Sequence, residues 1–473
     1  MKKIIALSAI AALATSSFAA DDMEARLDKL EKKISKLEKK LKKANKKLNQ
    51  VKAHDAGDNI KWNVDFRSTL DSINYDLADG TTKSNDAVLT NRLLLGMKYK
   101  PEDTIAFYGT LAYNKVYGAN TAQTNTYENF DWVTNETAST DNNLRVKEAY
   151  WLYTNDTFFG TDVSWTASIG RRPSTGGLGI NYREGDKAKS AIASTVNVEF
   201  DGASFRWNLD QVTPLEGSWF KLCMGRGITN ATQRFNDTTN GADYSTNNTL
   251  TADSDMVGLI FVPYDNGQYS LWTNYAVSNH LIGYGSTSTG AVDMASGFKD
   301  VGGISLTTMM FKAEGVGEEI SDFLDSTTFF ASWSQSKTDP TGSMRMLGSA
   351  ESETGTSVWI GAQMPCLLTE DGRFGIEYNK GSKYWRSMTY AEDTMIGSKI
   401  AARGTAVEAY WLKPLTKSMS MTVRYTKIDY DYTGSNAFFG AGGTPMSIAD
   451  AKAAGMNPVE SADDLRLSIR YQF

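Results

Sequence analysis

The chain has 473 residues, 41% hydrophobic and 22% charged, with a net charge of −6, two His and two Cys. So few histidines, and two cysteines as far apart as Cys223 and Cys366, leave His-rich or Cys-rich metal centres and a disulfide scaffold poorly supplied. Most enzyme classes start at a disadvantage, and the large number of residues fits either several domains or one large barrel.

Lys2 and Lys3, the apolar run from Ile4 to Ala14, and Ser17-Phe18-Ala19 read as a secretory signal peptide over residues 1–19, cut after Ala19. Neither cysteine lies near that site, so a lipid tether on a new N-terminal Cys is excluded. Beyond it nothing approaches the roughly 18 consecutive apolar residues that a membrane-spanning helix needs. An exported soluble protein or an outer-membrane barrel is left, and hydrophobic period separates the two.

Residues 20–52 have their own period. Met23, Leu27, Leu30, Ile34, Leu37, Leu41, Ala44, Leu48 and Val51 recur in alternating steps of four and three. Such a 3.5-residue repeat predicts a periplasmic α-helical coiled coil; the alternative is one amphipathic helix docked on its own protein. With Leu27 at a, the pairs Arg26 with Glu31 and Lys33 with Glu38 are opposite in sign and favour parallel chains. Asp21–Lys52 holds 12 Lys and Arg against 6 Asp and Glu, an excess of +6; setting it and the two leader lysines aside from the overall −6 leaves −14 for the rest. A basic stalk thus carries an acidic body, which allows peptidoglycan contact through the stalk or simply a solvated face. Residues 53–59, with His54-Asp55-Ala56-Gly57-Asp58, read as a linker.

From Ile60 the period becomes two. Ile60, Trp62, Val64 and Phe66 alternate with Lys61, Asn63, Asp65 and Arg67, and the last nine residues repeat the pattern from Leu465 to Phe473. Short turn-forming breaks stand at 100–103, 213–217, 263–267, 369–372 and 414–417, with longer ones near 154–161 and 314–326. Between them lie polar stretches around 71–87, 116–142, 172–198, 230–252, 280–300, 338–355, 382–403 and 431–462. Eight outer loops imply an all-β transmembrane barrel of about 16 antiparallel strands over residues 60–473, within a range of roughly 14 to 18. Parity also requires that Phe200-Asp201-Gly202-Ala203, which looks like a hairpin turn, is none. The aromatics Trp62, Phe66, Tyr99, Phe107, Trp165, Trp207, Trp333 and Tyr425 fall within these segments, where interfacial girdles sit.

A barrel of that size is too wide to be filled by its own side chains, so a water-filled lumen is expected. Alternation turns Arg67, Arg206, Arg373, Arg424, Arg466 and Arg470 into the lumen, with Asp65, Asp210 and Glu377. The lumen therefore mixes signs, and ion selectivity is not readable. Glu148-Ala149-Tyr150-Trp151-Leu152 recurs as Glu408-Ala409-Tyr410-Trp411-Leu412, a shared strand solution rather than a solenoid repeat.

The heptad stalk, the strand from Lys147, the Gly170-Arg171-Arg172-Pro173 turn and the final Phe473 together resemble a porin-like family of Gram-negative outer-membrane proteins. In that family the terminal aromatic is the assembly signal, a role the resemblance gives to Phe473. The third outer loop of general porins folds inward and makes the constriction. Here that implies Arg171, Arg172, Arg183, Glu184, Asp186 and Lys187 at the narrowest point, where fixed charges set ion preference. The resemblance also implies a homo-trimer in outer-membrane lipid.

The function expected is passive diffusion of small hydrophilic solutes and ions through a porin. The alternative is a structural protein joining membrane to cell wall, or an adhesin. No cofactor, catalytic residue, metal site or nucleic-acid partner is expected: His54 and His280 have no motif around them, and no Gly-Lys-Ser/Thr follows the glycine run of the third loop.

Overall fold

The computed structural model describes residues 30, 32–47, 60–119, 143–231, 244, 252–287, 291–317 and 319–473. The chain divides into two units, residues 1–59 and 60–473. In the first unit the described residues, 30 and 32–47, are helical, and Leu30, Ile34, Leu37 and Leu41 of the heptad stripe are exposed. The signal peptide, the linker 53–59 and the remainder of the coil lie outside the described residues.

The second unit is one closed antiparallel barrel of sixteen strands. They are β1 (Lys61–Leu77), β2 (Thr82–Tyr99), β3 (Ile105–Val116), β4 (Arg145–Asn155), β5 (Trp165–Arg171), β6 (Asp201–Asn208), β7 (Trp219–Ile228) and β8 (Ser254–Asp265). The circuit continues through β9 (Tyr269–Ser286), β10 (Val292–Glu314), β11 (Thr328–Pro340), β12 (Thr354–Pro365), β13 (Arg373–Gly381), β14 (Gly404–Pro414), β15 (Met419–Tyr430) and β16 (Val459–Gln472). Each strand pairs with its sequence neighbours, and β1 closes on β16 with Arg67 opposite Arg470. The terminal Phe473 seals that seam through both of its backbone groups, its N–H donating to Val64 at 3.0 Å and its carbonyl accepting from Val64 at 3.2 Å. Asp201 opens β6 and makes no hairpin.

The alternation does what period two demands. On β1, Asp65, Arg67, Thr69 and Asp71 are buried inside while Trp62, Phe66 and Leu70 face outward; on β16, Asp464, Arg466, Ser468 and Arg470 face inward and Leu465 and Leu467 outward. A barrel whose outer face is apolar and whose inner face is charged has its lipid side and its solute side reversed relative to a water-soluble protein.

Two expected loops are strands instead. Residues 71–87 form the upper part of the β1–β2 hairpin, turning only at 78–81, and residues 280–286 and 292–300 belong to β9 and β10, with the Thr287 N–H donating to the Ala291 carbonyl at 2.8 Å. The reason is solvation: residues 82–87 are exposed on both faces, so a polar strand above the apolar band keeps its ladder and loses its alternation. The turn expected at 263–267 likewise starts later, since β8 runs to Asp265.

The larger departure concerns the lumen. The connections 172–200 (loop L3), 382–403 (L7) and 431–458 (L8) fold inward and pack on the wall. Leu178, Ile180 and Ile192 of L3 and Ile400 of L7 share a core with Met310, Phe330 and Trp359 of β10, β11 and β12. Val198, Met388, Phe438 and Phe439 join Met256, Ile304 and Leu306 in a second core. An open water-filled lumen across the whole barrel is therefore not what the chain builds: the β8–β12 side of the interior is occupied by these loops. Sixteen strands leave more space than wall side chains can fill, and three loops supply the missing apolar volume.

Candidate functional site

L3 descends into the barrel because its glycines let it. Gly179 has φ +101, and a Cβ there would lie 2.2 Å from the ring of Trp359; Gly177, in ordinary backbone, would place a Cβ 2.2 Å from the Ala191 carbonyl. The loop then makes one short helix, Ile180–Glu184, capped by Gly185 in the left-handed conformation. Gly179→Ala combines a conformation unfavourable for L-residues with a clash against a buried indole. It is expected to displace the loop tip, lower the temperature at which the folded barrel shifts on heating in electrophoresis, and expose Trp359 to a soluble quencher.

The tip carries its charges onto the wall. Arg183, almost fully buried, donates to Glu392 of L7 at 2.9 Å and pairs with Glu408 of β14 at 3.4 Å. Glu408 also pairs with Lys399 of L7, which reaches Glu377 of β13 at 2.6 Å. Glu377 in turn accepts from the Trp359 indole at 2.9 Å. This is one buried network of two cations and three carboxylates, with each group hydrogen-bonded.

Beside it lies a second cluster, on β16, β1, β2 and β15. Arg67 pairs with Glu184 at 3.3 Å and with Asp393 of L7. Arg92 approaches Asp393 at 3.4 Å and Asp65 at 3.5 Å; Arg466 holds Asp393 at 3.2 Å and also Asp71. Arg470 holds Asp65 through a two-pronged contact and Asp186 at 2.8 Å. Arg424 donates to the Asp393 carbonyl at 2.9 Å. The five arginines are thus matched by carboxylates from the wall and from two inward loops, and together they latch L3 and L7 to one side of the barrel.

Burial by itself would raise the Glu184 carboxyl, but Arg67, Arg183 and Arg92 outweigh it and hold the group down at about 2. Burial would raise Asp393 as well, and Arg67, Arg466, Arg92 and Arg424 keep it well below the usual range. Carboxyls depressed in the latched state stabilise it fully above the ordinary values of 4.5 for Glu and 3.8 for Asp, and that stabilisation is lost as pH falls through the latched values. Attachment of L3 and L7 through Glu184 and Asp393 is accordingly expected to be unchanged from neutrality down to pH of about 5 and to weaken between about 4 and 2, measured as faster hydrogen exchange in 178–186.

Of the residues expected from sequence, Glu184 meets the wall arginines Arg67 and Arg424 and Asp186 meets Arg470, whereas Arg183 pairs with Glu392 and Glu408 and Arg466 with Asp71 and Asp393. Lys187 is exposed on the loop. Arg171 and Arg172 stay at the loop's root, where Arg171 pairs with Glu199 at 3.2 Å and Arg172 lies over the Tyr150 ring. Arg206 faces inward but stacks on Trp219, and Arg373 donates to the Ser326 carbonyl at the short-turn end. Unforeseen were Arg92, Lys147, Glu199, Glu392, Asp393, Lys399 and Glu408. Glu408 and Arg92 obey the same alternation as the arginines that were found, and the repeated pentapeptide was a further signal, since it puts Glu408 and Tyr410 inside. Lys147 is turned inward by a bulge, with Thr110 opposite Glu148 and Leu111 opposite Val146. L7 itself has no period to read.

On the opposite side of the latch, along β1–β4, space remains. A cavity of about 540 Å³ opens toward the short-turn end, lined by Lys61, Asp65, Lys98, Tyr108, Glu148 and Tyr150 among others. A narrow space of about 50 Å³ between L3 and the β2 wall adjoins it, sharing Leu94, Lys147 and Lys189 and bounded by Arg92, Glu184 and Asp393. One water needs only roughly 10–15 Å³, so both admit solvent and the larger one a small solute.

The family described as "Protein of unknown function (DUF3373)" matches residues 82–473. No curated protein matches the chain. Among solved structures it is similar to the trimer form of OmpT from Vibrio cholerae, with 10% identity, a TM-score of 0.45, and 88% of this chain and 99% of that one covered. The anion-selective porin from Comamonas acidovorans gives 11% identity and a TM-score of 0.47 over 88% of this chain and 99% of that one. The outer-membrane channel DcaP of Acinetobacter baumannii gives 15% and 0.45 over 88% and 98%. The sixteen-stranded, porin-like architecture stands on the strand pairing itself.

Proposed function

The chain belongs to the DUF3373 family of proteins of unknown function, and we propose that it is an outer-membrane channel through which small hydrophilic solutes and ions diffuse passively. The observation that carries this reading is the charged interior with its solvent-sized space along β1–β4, enclosed by a closed wall that is apolar outside. Transport rather than catalysis is the work we assign to it. The flow is narrow, because L3, L7 and L8 occupy the other half of the lumen. The exposed stripe Leu30, Ile34, Leu37 and Leu41 supports self-association of the N-terminal helix, and on that basis we propose a trimer with a three-stranded periplasmic coil, exported by the leader.

Purified protein in a planar bilayer is expected to give small stepwise openings grouped in threes. A heat-modifiable, folded barrel with no conductance would sink the channel reading. The lysines of residues 32–47 favour a second role, contact with the anionic cell wall. Binding to isolated peptidoglycan at low salt, lost at high salt, is the result expected of it.

A further inference from the structure

The five wall arginines are neutralised where they stand, so they are poorly placed to choose a permeating ion. A different row of cations is not neutralised. Lys61 of β1 lies directly opposite Lys98 of β2, Lys98 opposite Tyr108 of β3, Tyr108 opposite Tyr150 of β4, and Tyr150 opposite Gly170, two residues before Arg172. The side chains follow the register. The Lys98 ammonium sits 5.1 Å from the Tyr108 ring centre, the Tyr108 and Tyr150 rings stack at 5.3 Å and 14°, and the Arg172 guanidinium sits 5.6 Å from Tyr150.

A cation held by a ring face is positioned without being discharged, because the ring carries a quadrupole and no net charge. Among the described residues none of Lys61, Lys98, Arg172 and Lys189 has a carboxylate within ion-pair distance. The acidic groups of the same wall are Asp65, already held by Arg470, and Glu148, which accepts from the Thr110 hydroxyl at 3.0 Å. Two lysines placed directly opposite on neighbouring strands repel and cost stability. That cost points to a ligand of the opposite sign. Lys61, Lys98 and Lys189 line the cavity of about 540 Å³.

Resting on the channel reading, we propose that this cavity selects anions: small carboxylates and inorganic anions are drawn to the Lys61–Lys98–Tyr108–Tyr150–Arg172 row and pass along the β1–β4 wall, although the protein as a whole is acidic. Fixed charge at close range outweighs the net charge of the body, since mobile ions screen the latter over about 10 Å at 0.1 M salt.

The test is reversal potential under a KCl gradient, for the full-length protein and for Lys61→Gln combined with Lys98→Gln. The native channel is expected to prefer chloride, and the double variant to lose most of that preference at unchanged heat-modifiability. Preference for potassium in the native channel, or unchanged selectivity in the variant, overturns the proposal. The second arm needs no conduction: calorimetry in detergent with benzene-1,3,5-tricarboxylate is expected to show binding that the double variant loses. A barrel that binds this anion without conducting retains the anion site and removes the channel reading. A barrel that conducts without anion preference or binding does the reverse.

Discussion

Asp393→Ala is expected to raise single-channel conductance several-fold while leaving the barrel folded. This carboxylate is the shared counter-ion of Arg67, Arg92 and Arg466, and its neighbouring carbonyl accepts from Arg424. Removing one partner of a buried ion pair costs about 3–5 kcal/mol, because the charges left behind remain out of water. Here the arginines that lose it, Arg67, Arg92 and Arg466, belong to three strands of an intact ladder, and the loop is the part free to respond. L7 is expected to leave the wall and the narrow space beside Arg92 to widen. Asp393→Asn keeps the shape and some of the hydrogen bonds, and a smaller rise is expected of it. Conductance equal to the native value in both variants would show that the latch does not limit flow.

The second large effect is on stability. Arg183→Ala removes a cation held well above its ordinary range: burial works against the charge, and Glu408, Glu392 and Glu184 outweigh that burial. Its absence leaves Glu408 to Lys399 and to Arg424 at 3.8 Å, and Glu392 to the Ser398 hydroxyl at 2.6 Å, both carboxylates being without exposed side-chain surface. The loss expected is again about 3–5 kcal/mol, measured as a lower heat-modifiability midpoint and faster hydrogen exchange in 178–186. A midpoint equal to the native value would show that Arg183 does not hold L3 to the wall.

Much of this molecule is legible along the chain because a strand between lipid and water has a period of two. Asp65-Phe66-Arg67 and Leu465 to Arg470 declare their faces residue by residue, and parity of short and long connections yields sixteen strands even against the local hairpin signal at Asp201-Gly202. The inward course of the third loop was expected only through the resemblance to general porins. Above the apolar band the signal fades, and residues 82–87 at the start of β2 read as loop because both faces are exposed.

What the sequence by itself determined is the barrel, its strand number and its lumen-facing arginines, all consequences of local alternation. Only the tertiary structure decided that the lumen is half filled and that the arginines are neutralised. Asp393 meets Arg67 across 326 residues of chain, and Glu392 meets Arg183 across 209. Such pairs carry no period, since each side chain is placed by barrel closure and not by its neighbours in sequence. The same closure sets Lys61, Lys98, Tyr108 and Tyr150 in one row and leaves its cations without counter-ions among the described residues.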